Sequence, residues 1–260
     1  MKYKKRIHIA PVGFEVDRIV EPAVEYKADK VYLLVHDNNE EDKASPYIER
    51  VIEELEKNKI KSEKVLANWR DVESITKAAR KLINDLKEDE IFINISSGSK
   101  IHAIALDRTI MTLPDQSNIT EFYAESKAYE GFKPGKKQLS VGVKETKEIP
   151  KRKMVLPKEK SLETLIIINE SYQQWKNTRG GDQHEWKGIT KKHLAKECVK
   201  KDILTGDPNN IGPSELSALD KNIIQKLRDQ WKYIETKKIG RNWYVRLTAD
   251  GMSFVNEMTP

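Results

Sequence analysis

The sequence predicts two domains: an α/β domain built on a doubly wound parallel sheet, and then a smaller domain of helices that ends in a β-hairpin. Up to about residue 145, strand-like runs alternate with amphipathic helical segments, and parallel strands need such helical crossovers. From residue 161 the pattern changes to helices followed by a hairpin. We expect domains over 1–148 and 161–260, joined by a charged linker over 149–160 that contains two prolines.

The composition predicts a protein that does not cross a membrane. Charged residues make up 34% of the 260 residues, and no apolar run approaches the roughly 20 residues that a bilayer requires. The first residues lack the apolar region and cleavage site of an export signal. Cys198, the one cysteine, cannot form an internal disulfide. We therefore expect a cytoplasmic protein.

The elements of the first domain follow from hydrophobic periodicity. Strands are expected in RIHIAPV, KVYLLVHD, KSEKVLANW, DEIFINIS, ITEFYAES and QLSVGV. Helices are expected in VDRIVEPAVEYKA, SPYIERVIEELEKNK, DVESITKAARKLINDL and KIHAIALDRTIMTL, with Ser45 and Asp71 as caps. No helix separates the last two strands, so we expect the far edge of the sheet to be antiparallel.

A polar loop after the fourth strand is the main candidate site. In a doubly wound sheet, ligands bind at the carboxyl ends of the strands where strand order reverses, which places this loop beside the loop after the first strand. A glycine allows close approach of the backbone, a helix N-terminus offers N–H groups, and a lysine adds positive charge. This chemistry predicts a site for phosphate or another polyanion, although the same loop can also be a simple helix cap. The candidate residues are Ser96, Ser97, Gly98, Ser99 and Lys100, with Gly13, Phe14, Glu15 and Asp17 from the first loop.

Several familiar sites are excluded by spacing. A Walker A loop needs adjacent Gly-Lys and an earlier glycine, but Ser99 separates Gly98 from Lys100 and position 93 is Ile93. The dinucleotide fingerprint needs three glycines after the first strand, where only Gly13 is present. A nucleophile elbow is absent. No recognised metal spacing joins His184, His193 and Cys198, so we expect no metal.

The second domain has the order of a winged helix-turn-helix. Helices are expected over 161–175, 188–201 and 214–231, a hairpin over 233–251 and a short helix at the end. Residues 151–260 hold 21 Lys and Arg against 14 Asp and Glu, a net +7, whereas the rest of the chain is at −1. This basic excess favours DNA binding, and a protein-docking winged helix is the alternative.

The third helix of this domain is the expected recognition helix. Leu219, Ile223, Ile224, Leu227 and Trp231 define its buried face. On the outer face, we expect Asn222, Gln225 and Arg228 to read base edges and Lys221 to contact phosphate. Further phosphate contacts are expected from Lys191, Lys192, Lys238 and Arg241, with Trp243 and Tyr244 packed beneath the hairpin tip.

These features together resemble one protein family. The loop over 94–100, the apolar helix after it, the short first loop and the winged helix are similar to the CRISPR-associated Rossmann-fold (CARF) regulators, in particular the archaeal CARF–winged-helix proteins. The resemblance implies a homodimer in which paired loops form one two-fold pocket for a cyclic oligoadenylate, commonly the tetra-adenylate, without a cofactor. By position, the nine candidate residues above would line that pocket.

The function implied is that of a homodimeric transcriptional regulator in CRISPR antiviral defence, which senses cyclic oligoadenylate and binds double-stranded DNA. One alternative is a ring nuclease that helps a ribose 2′-hydroxyl attack the neighbouring phosphate, with Ser97 and Lys100 positioning the reaction. Neither loop contains a histidine or evident base, and His102 lies beyond the loop, so we expect no enzymatic activity. Another alternative is a dimerisation platform with an inactive pocket.

Overall fold

The computed structural model describes residues 3–38, 42–131, 137–179 and 188–259, with backbone only over 175–179. The chain forms two compact units, one up to Met154 and the other over Val155–Thr259. Their boundary lies within the expected linker. In the described part of the chain, no helix has both the length and the apolar character needed to span a bilayer. His184, one of the residues considered as a metal ligand, lies outside the described residues.

The first unit is a doubly wound α/β sheet, as predicted. Its strands are β1 (Arg6–Pro11), β2 (Lys30–His36), β3 (Lys61–Ala67), β4 (Glu90–Asn94), β5 (Ile119–Tyr129) and β6 (Ser140–Glu148). Its helices are α1 (Asp17–Glu25), α2 (Ser45–Lys57), α3 (Val72–Asp85) and α4 (Lys100–Met111). The strand order is β3-β2-β1-β4-β5-β6, so β1 and β4 are neighbours at the switch point. All pairs are parallel except β5 with β6, which is antiparallel as expected.

Both faces of the sheet are covered, because successive strand residues point to opposite sides. Leu33 packs into the apolar core beneath α1 and α2, whereas Leu34 packs into the core beneath α3 and α4. The predicted cap Asp71 is confirmed, since its carboxylate accepts a hydrogen bond from the Glu73 amide at 2.9 Å. The cap predicted at Ser45 is wrong: its hydroxyl donates backwards to the Asp42 carbonyl at 2.9 Å and accepts nothing from the helix.

The second unit is a winged helix domain. It contains α5 (Glu159–Arg179), β7 (Ile189–Thr190), α6 (Lys191–Lys200), α7 (Pro213–Leu219), β8 (Ile234–Ile239), β9 (Asn242–Leu247) and α8 (Ala249–Met258). The strands form an antiparallel sheet in the order β7-β9-β8, in which β7 is an addition to the predicted hairpin. Apolar side chains from the helices and the sheet form one core.

The recognition helix departs from the continuous α-helix that the sequence predicts. After α7 the chain continues as two π-helical segments, Asp220–Ile224 and Lys226–Gln230. The Gln225 amide bonds to the Asp220 carbonyl, five residues back, in place of the α-helical partner. The predicted buried face is confirmed for Leu219, Ile223, Ile224 and Leu227, all at most 3% exposed, and Trp231 packs against the same core.

Candidate ligand site and DNA-binding surface

The loops after β1 and β4 are packed backbone against backbone. The pairing of Ile9 with Ile93 brings both strands to the same edge of the sheet. The Gly13 amide donates a hydrogen bond to Ser97 Oγ at 3.2 Å. A Cβ atom on Gly13 would lie 2.9 Å from both the Cα and the N of Gly98. The structure therefore brings the two predicted loops together, and a glycine at position 13 permits this approach.

Gly98 is required by both conformation and space. Its φ of +75° lies in the left-handed region that glycine adopts without steric cost. A Cβ atom here would stand 2.7 Å from Pro11 Cβ and 3.0 Å from His102 Nδ1. The residue is exposed on its remaining side, so the loop presents bare backbone to solvent at the tip.

His102 fixes the start of α4, a role that the sequence analysis missed. Ser99 Oγ accepts from the His102 amide at 3.3 Å, and the Ser99 amide donates to His102 Nδ1 at 3.1 Å. This reciprocal pair is a capping box with histidine in the place usually held by Glu or Gln, which is the signal that could have found it. Burial, with a smaller contribution from nearby His36, lowers the pKa of His102 to about 4. The imidazole is therefore neutral at pH 7, as a hydrogen-bond acceptor at Nδ1 must be.

Lys100 is the exposed positive charge of the site. Its side chain has no ion-pair partner among the residues that the structure describes. The capping box occupies the amides of Ser99 and His102. The amides of Lys100 and Ile101, in the first turn of α4, have no partner within the helix. The exposed Lys100 side chain and two amides without a helical partner thus belong to the first turn of α4, at the positive end of its dipole, an arrangement suited to an anion.

Ser96 and Ser97 hold the loop in place. Both are buried, at 8% and 4% exposed. Ser96 Oγ accepts from the Ala124 amide of β5 at 2.5 Å, and Ser97 Oγ accepts from Gly13. We predicted that these hydroxyl groups contact a ligand. In the structure their oxygens instead accept hydrogen bonds that anchor the loop to β5 and to the loop after β1.

Glu15 is also structural, contrary to its predicted place in the pocket. It is 4% exposed, and its Oε2 accepts hydrogen bonds from the Ser140 amide at 3.1 Å and the Ser140 hydroxyl at 2.5 Å. Its Oε1 lies 3.5 Å from Arg18 Nη1 in a buried ion pair. Because a buried carboxylate needs such partners, Glu15 is not available to a ribose or an adenine.

The start of α1 is closed by the β6 side of the sheet. Gln138 Oε1 accepts from the amides of Val16 and Asp17 at 2.9 and 3.0 Å. Asp17 Oδ2 in turn accepts from the Gly142 amide at 2.8 Å. We predicted that Asp17 contacts the ligand, but in the structure its carboxylate is bonded to β6. Of the two helices at the switch point, only α4 offers its N-terminus to an anion.

Aromatic side chains flank the paired loops. Phe14 is half-buried, with its ring centroid 5.4 Å from that of Tyr47. At the end of β2, His36 is 6% exposed, and its ring centroid lies 6.1 Å from that of Trp69 in an edge-on contact. His36 Nδ1 also lies 2.7 Å from Asp37 Oδ1. His36 and Trp69 thus pack against each other at the ends of β2 and β3.

Most of the predicted DNA-binding residues lie at the surface of the winged helix domain. The β8–β9 turn is formed by Gly240, with φ of +59°, and Arg241. This two-residue connection is the usual hairpin turn with glycine at its first position. The exposed residues of the predicted set are Lys192, Lys221, Asn222, Gln225, Lys238 and Arg241.

Lys191 and Trp243 do not have the places in the winged helix domain that the sequence predicts for them. Lys191 is 15% exposed at its side chain, with Nζ 2.5 Å from Asp220 Oδ1 and 5.1 Å from the Trp243 ring centroid. We predicted that Lys191 contacts a DNA phosphate. In the structure it instead connects α6 with the recognition helix and with the β8–β9 hairpin. Trp243 is 45% exposed and does not pack beneath the hairpin tip.

Arg228 forms a forked ion pair with its neighbour. Its Nε and Nη2 lie 2.7 and 2.8 Å from the two carboxylate oxygens of Asp229. This pairing lowers the pKa of Asp229 and raises that of Arg228. Arg228 is half-buried, and contact with a guanine would require it to leave this carboxylate.

Two family models match the chain. Residues 6–129 match the family described as "HFX_2341_N:-like, N-terminal", and residues 167–256 match the DUF6293 C-terminal winged helix domain. The chain is thus similar to the first family over its α/β domain and to the second over its winged helix domain, and the predicted order of an α/β domain before a winged helix domain is confirmed. The uncharacterized protein MJ1513 of Methanocaldococcus jannaschii is 24% identical over 323 aligned positions, covering 98% of this chain and 96% of the relative.

Comparison with solved structures finds proteins of low sequence identity. Csm6 of Enterococcus italicus, bound to cyclic hexa-2′-fluoro-hexa-dAMP, is 14% identical with a TM-score of 0.38 over 47% of this chain. Can2 of Sulfobacillus thermosulfidooxidans, in complex with cyclic tetra-adenylate, is 15% identical with a TM-score of 0.40 over 96% of this chain. This chain spans 34% of the Csm6 chain and 63% of the Can2 chain.

Proposed function

We propose that this chain is a ligand-responsive DNA-binding regulator of CRISPR-related antiviral defence. The loops after β1 and β4 bind a cyclic oligoadenylate, and the winged helix domain binds double-stranded DNA. The observation that carries the proposal is the exposed anion-binding point at Lys100 and Gly98, placed at the switch point of a doubly wound sheet in a chain that also has a winged helix.

The electrostatics of the site suit a phosphodiester. Lys100 supplies a full positive charge, and the first turn of α4 supplies amides and the positive end of a helix dipole. The acidic residues of the first loop do not oppose this, because Glu15 is paired with Arg18 and Asp17 is bonded to the Gly142 amide. The carboxylates that look unfavourable in the sequence are thus turned away from the ligand.

A cyclic ligand with two-fold symmetry implies two copies of the loop. We therefore propose a homodimer in which the paired switch points form one pocket, because an isologous interface places equivalent residues around one axis. Saturation at one ligand per two chains is the expected stoichiometry.

The winged helix domain supplies the proposed DNA contacts. The net +7 of residues 151–260 gives a sequence-independent attraction to phosphate. Asn222 and Gln225 are exposed on the recognition helix with amide groups that suit adenine edges. The residues proposed to contact DNA phosphates are the exposed Lys192, Lys221, Lys238 and Arg241.

The proposal is for binding without cleavage. His102 is the histidine nearest the loop, but it is 4% exposed and its Nδ1 accepts from Ser99. Ser97 Oγ is likewise engaged with Gly13. Incubation with radiolabelled cyclic tetra-adenylate should leave the ring intact, and accumulation of linear products would replace this proposal with a ring nuclease.

Gel shifts with the upstream region of the protein's own gene test the regulator. We expect a shifted complex at low salt whose affinity changes when cyclic tetra-adenylate is added. A dimer that fails to bind this or random DNA at low salt, with and without ligand, would make the winged helix a protein-docking module.

A further inference from the structure

A cavity of about 230 Å³ lies between α4, β5 and the chain after β6. Its walls are mainly apolar and include Ile110, Ile119 and Ile149. Asp107 and Glu121 also line it, and Lys151 and Arg152 lie on the side of the chain after β6. From Lys100 to Asp107 the helix rises by about 10 Å, so the cavity is separate from the ligand loop at the start of α4.

Glu121 is the unusual residue of this cavity. Its side chain is 7% exposed, and its Oε1 has no hydrogen-bond partner among the described residues. A buried carboxylate oxygen without a partner is costly, so such a group calls for an explanation, of which a bound cation is one. Burial, together with the charge of Asp107, raises the pKa of Glu121 to about 7.

The nearby cations do not neutralise Glu121. Lys151 directs its ammonium group to the Gln116 carbonyl at 2.8 Å. Arg152 is exposed, and it forms no ion pair with Glu121 or Asp107. The cavity therefore combines a wall of isoleucine side chains with two carboxyl groups that have no cationic partner in the part of the chain that the structure describes.

The geometry points to a binding site for a small organic cation in this cavity. A primary ammonium group would lie next to Glu121 and Asp107, and a short apolar chain would pack against Ile110, Ile119 and Ile149. The apolar wall disfavours a metal ion, which prefers several oxygen ligands. Within the described ranges, no group of three or more His, Cys, Asp or Glu side chains is arranged to hold a metal. This site does not depend on the proposed regulator function.

Binding of such a cation is expected to be linked to a proton. Below pH 7 Glu121 carries the proton and offers no negative charge, whereas an ammonium group favours its ionised form. Affinity should therefore rise between pH 6 and pH 8, with release of a proton on binding near pH 7. Asp107 from α4, and Lys151 and Arg152 from the chain after β6, are the other charged groups that line the cavity.

Isothermal titration of the full chain with n-butylammonium, butanoate and n-butanol tests the proposal. We expect saturable binding of n-butylammonium at pH 8, and at least about tenfold weaker binding of the other two, since a charge-assisted contact is worth about that much. Glu121→Gln should weaken n-butylammonium binding by at least about tenfold, and Asp107→Asn by a smaller factor. The control Glu125→Gln removes a carboxylate of the same strand that is paired with Lys144 and Lys147, and should leave the affinity unchanged.

Circular dichroism establishes that each variant is folded. Absence of n-butylammonium binding to the wild-type protein at pH 8 would overturn the proposal. Equal affinity for butanoate would overturn the proposal as well, because it would indicate that Lys151 and Arg152 bind an anion in this cavity. Unchanged affinity in both Glu121→Gln and Asp107→Asn would also overturn it, and the Asp107 variant decides the matter if Glu121→Gln does not fold.

Discussion

Gly13 and Gly98 lie back to back where β1 and β4 end, so close that a Cβ atom on Gly13 would stand 2.9 Å from the Gly98 Cα. This contact joins the two loops of the candidate site into one surface. It also explains why a glycine is needed at position 13, whereas Gly98 is required by its positive φ and by the Pro11 side chain, 2.7 Å from where a Cβ atom would stand.

Replacement of Gly98 should lower the stability of the protein by more than backbone strain at a positive φ alone would. In Gly98→Ala, the new Cβ meets Pro11 in addition to occupying a positive φ, so we expect about 2–4 kcal/mol of destabilisation and weaker ligand binding. Gly131→Ala is a matched control, because Gly131 has φ of +78° with nothing within 4 Å of the new Cβ. Urea unfolding compares the two, and equal losses would show that the contact with Pro11 is unimportant.

His102 should make the first domain sensitive to acid. Its pKa is about 4 in the fold against 6.5 in the unfolded chain, so the unfolded state binds the extra proton and stability falls as pH drops through this interval. His102→Gln keeps a capping acceptor without the titration. Unfolding from pH 7 to pH 4 should show the wild type losing about 1–3 kcal/mol more than the variant. Parallel pH profiles would contradict the neutral, buried imidazole.

Glu121 should affect the pH dependence of stability in the opposite direction to His102. Its pKa of about 7 lies above the ordinary 4.5, so the folded state holds the proton and the contribution of Glu121 to stability is lost as pH rises from 4.5 through 7, against the contribution of His102. Glu121→Gln should flatten this part of the profile by about 2–3 kcal/mol. Glu125→Gln, in which an exposed ion pair is lost, should keep the wild-type slope between pH 5 and pH 8. A Glu121→Gln profile that runs parallel to the wild-type profile over this range would contradict the raised pKa.

The predicted DNA-binding residues of the winged helix domain should divide into three classes. Lys238→Ala or Arg241→Ala should weaken all DNA alike and lower the salt dependence by about one unit of slope, as for one lost phosphate contact. Asn222→Ala or Gln225→Ala should cost about 1–3 kcal/mol on the preferred operator and little on random DNA. Lys191→Ala should instead lower the Tm of the domain, because Lys191 bridges Asp220 and Trp243. Gel shifts over a salt series separate these outcomes, and a full unit of slope lost in Lys191→Ala would return that residue to the DNA surface.

The fold was accessible from sequence because local periodicity and topology agree. A short, nearly continuous apolar run distinguishes strands such as β2 from helices such as α3, whose apolar residues recur every three or four positions, and the need for crossovers orders the strands into one sheet. The meeting of the Gly13 and Gly98 loops followed from that order alone. The antiparallel last strand followed from the absence of a helix before it.

The side-chain roles that were missed depend on distant partners. Glu15 and Ser140 are 125 residues apart, and Lys191 and Asp220 are 29 apart, so no local pattern reveals either pair. A carboxylate in a loop looks like a ligand contact until its burial is known. The π-helical turns after α7 are equally hidden, because buried residues at spacings of three and four suit an α-helix as well.

The most direct test of the account is calorimetric titration of cyclic tetra-adenylate into the wild-type protein and Lys100→Ala. We predict saturation at one ligand per two chains for the wild type, and a loss of about 1.5–3 kcal/mol in the variant, the range of a charge-assisted hydrogen bond. Lys64→Ala, which removes an exposed lysine of β3, should bind as the wild type does. Equal affinity of the wild type and Lys100→Ala, or no binding of the cyclic ligand by the folded wild-type protein, would contradict the central claim.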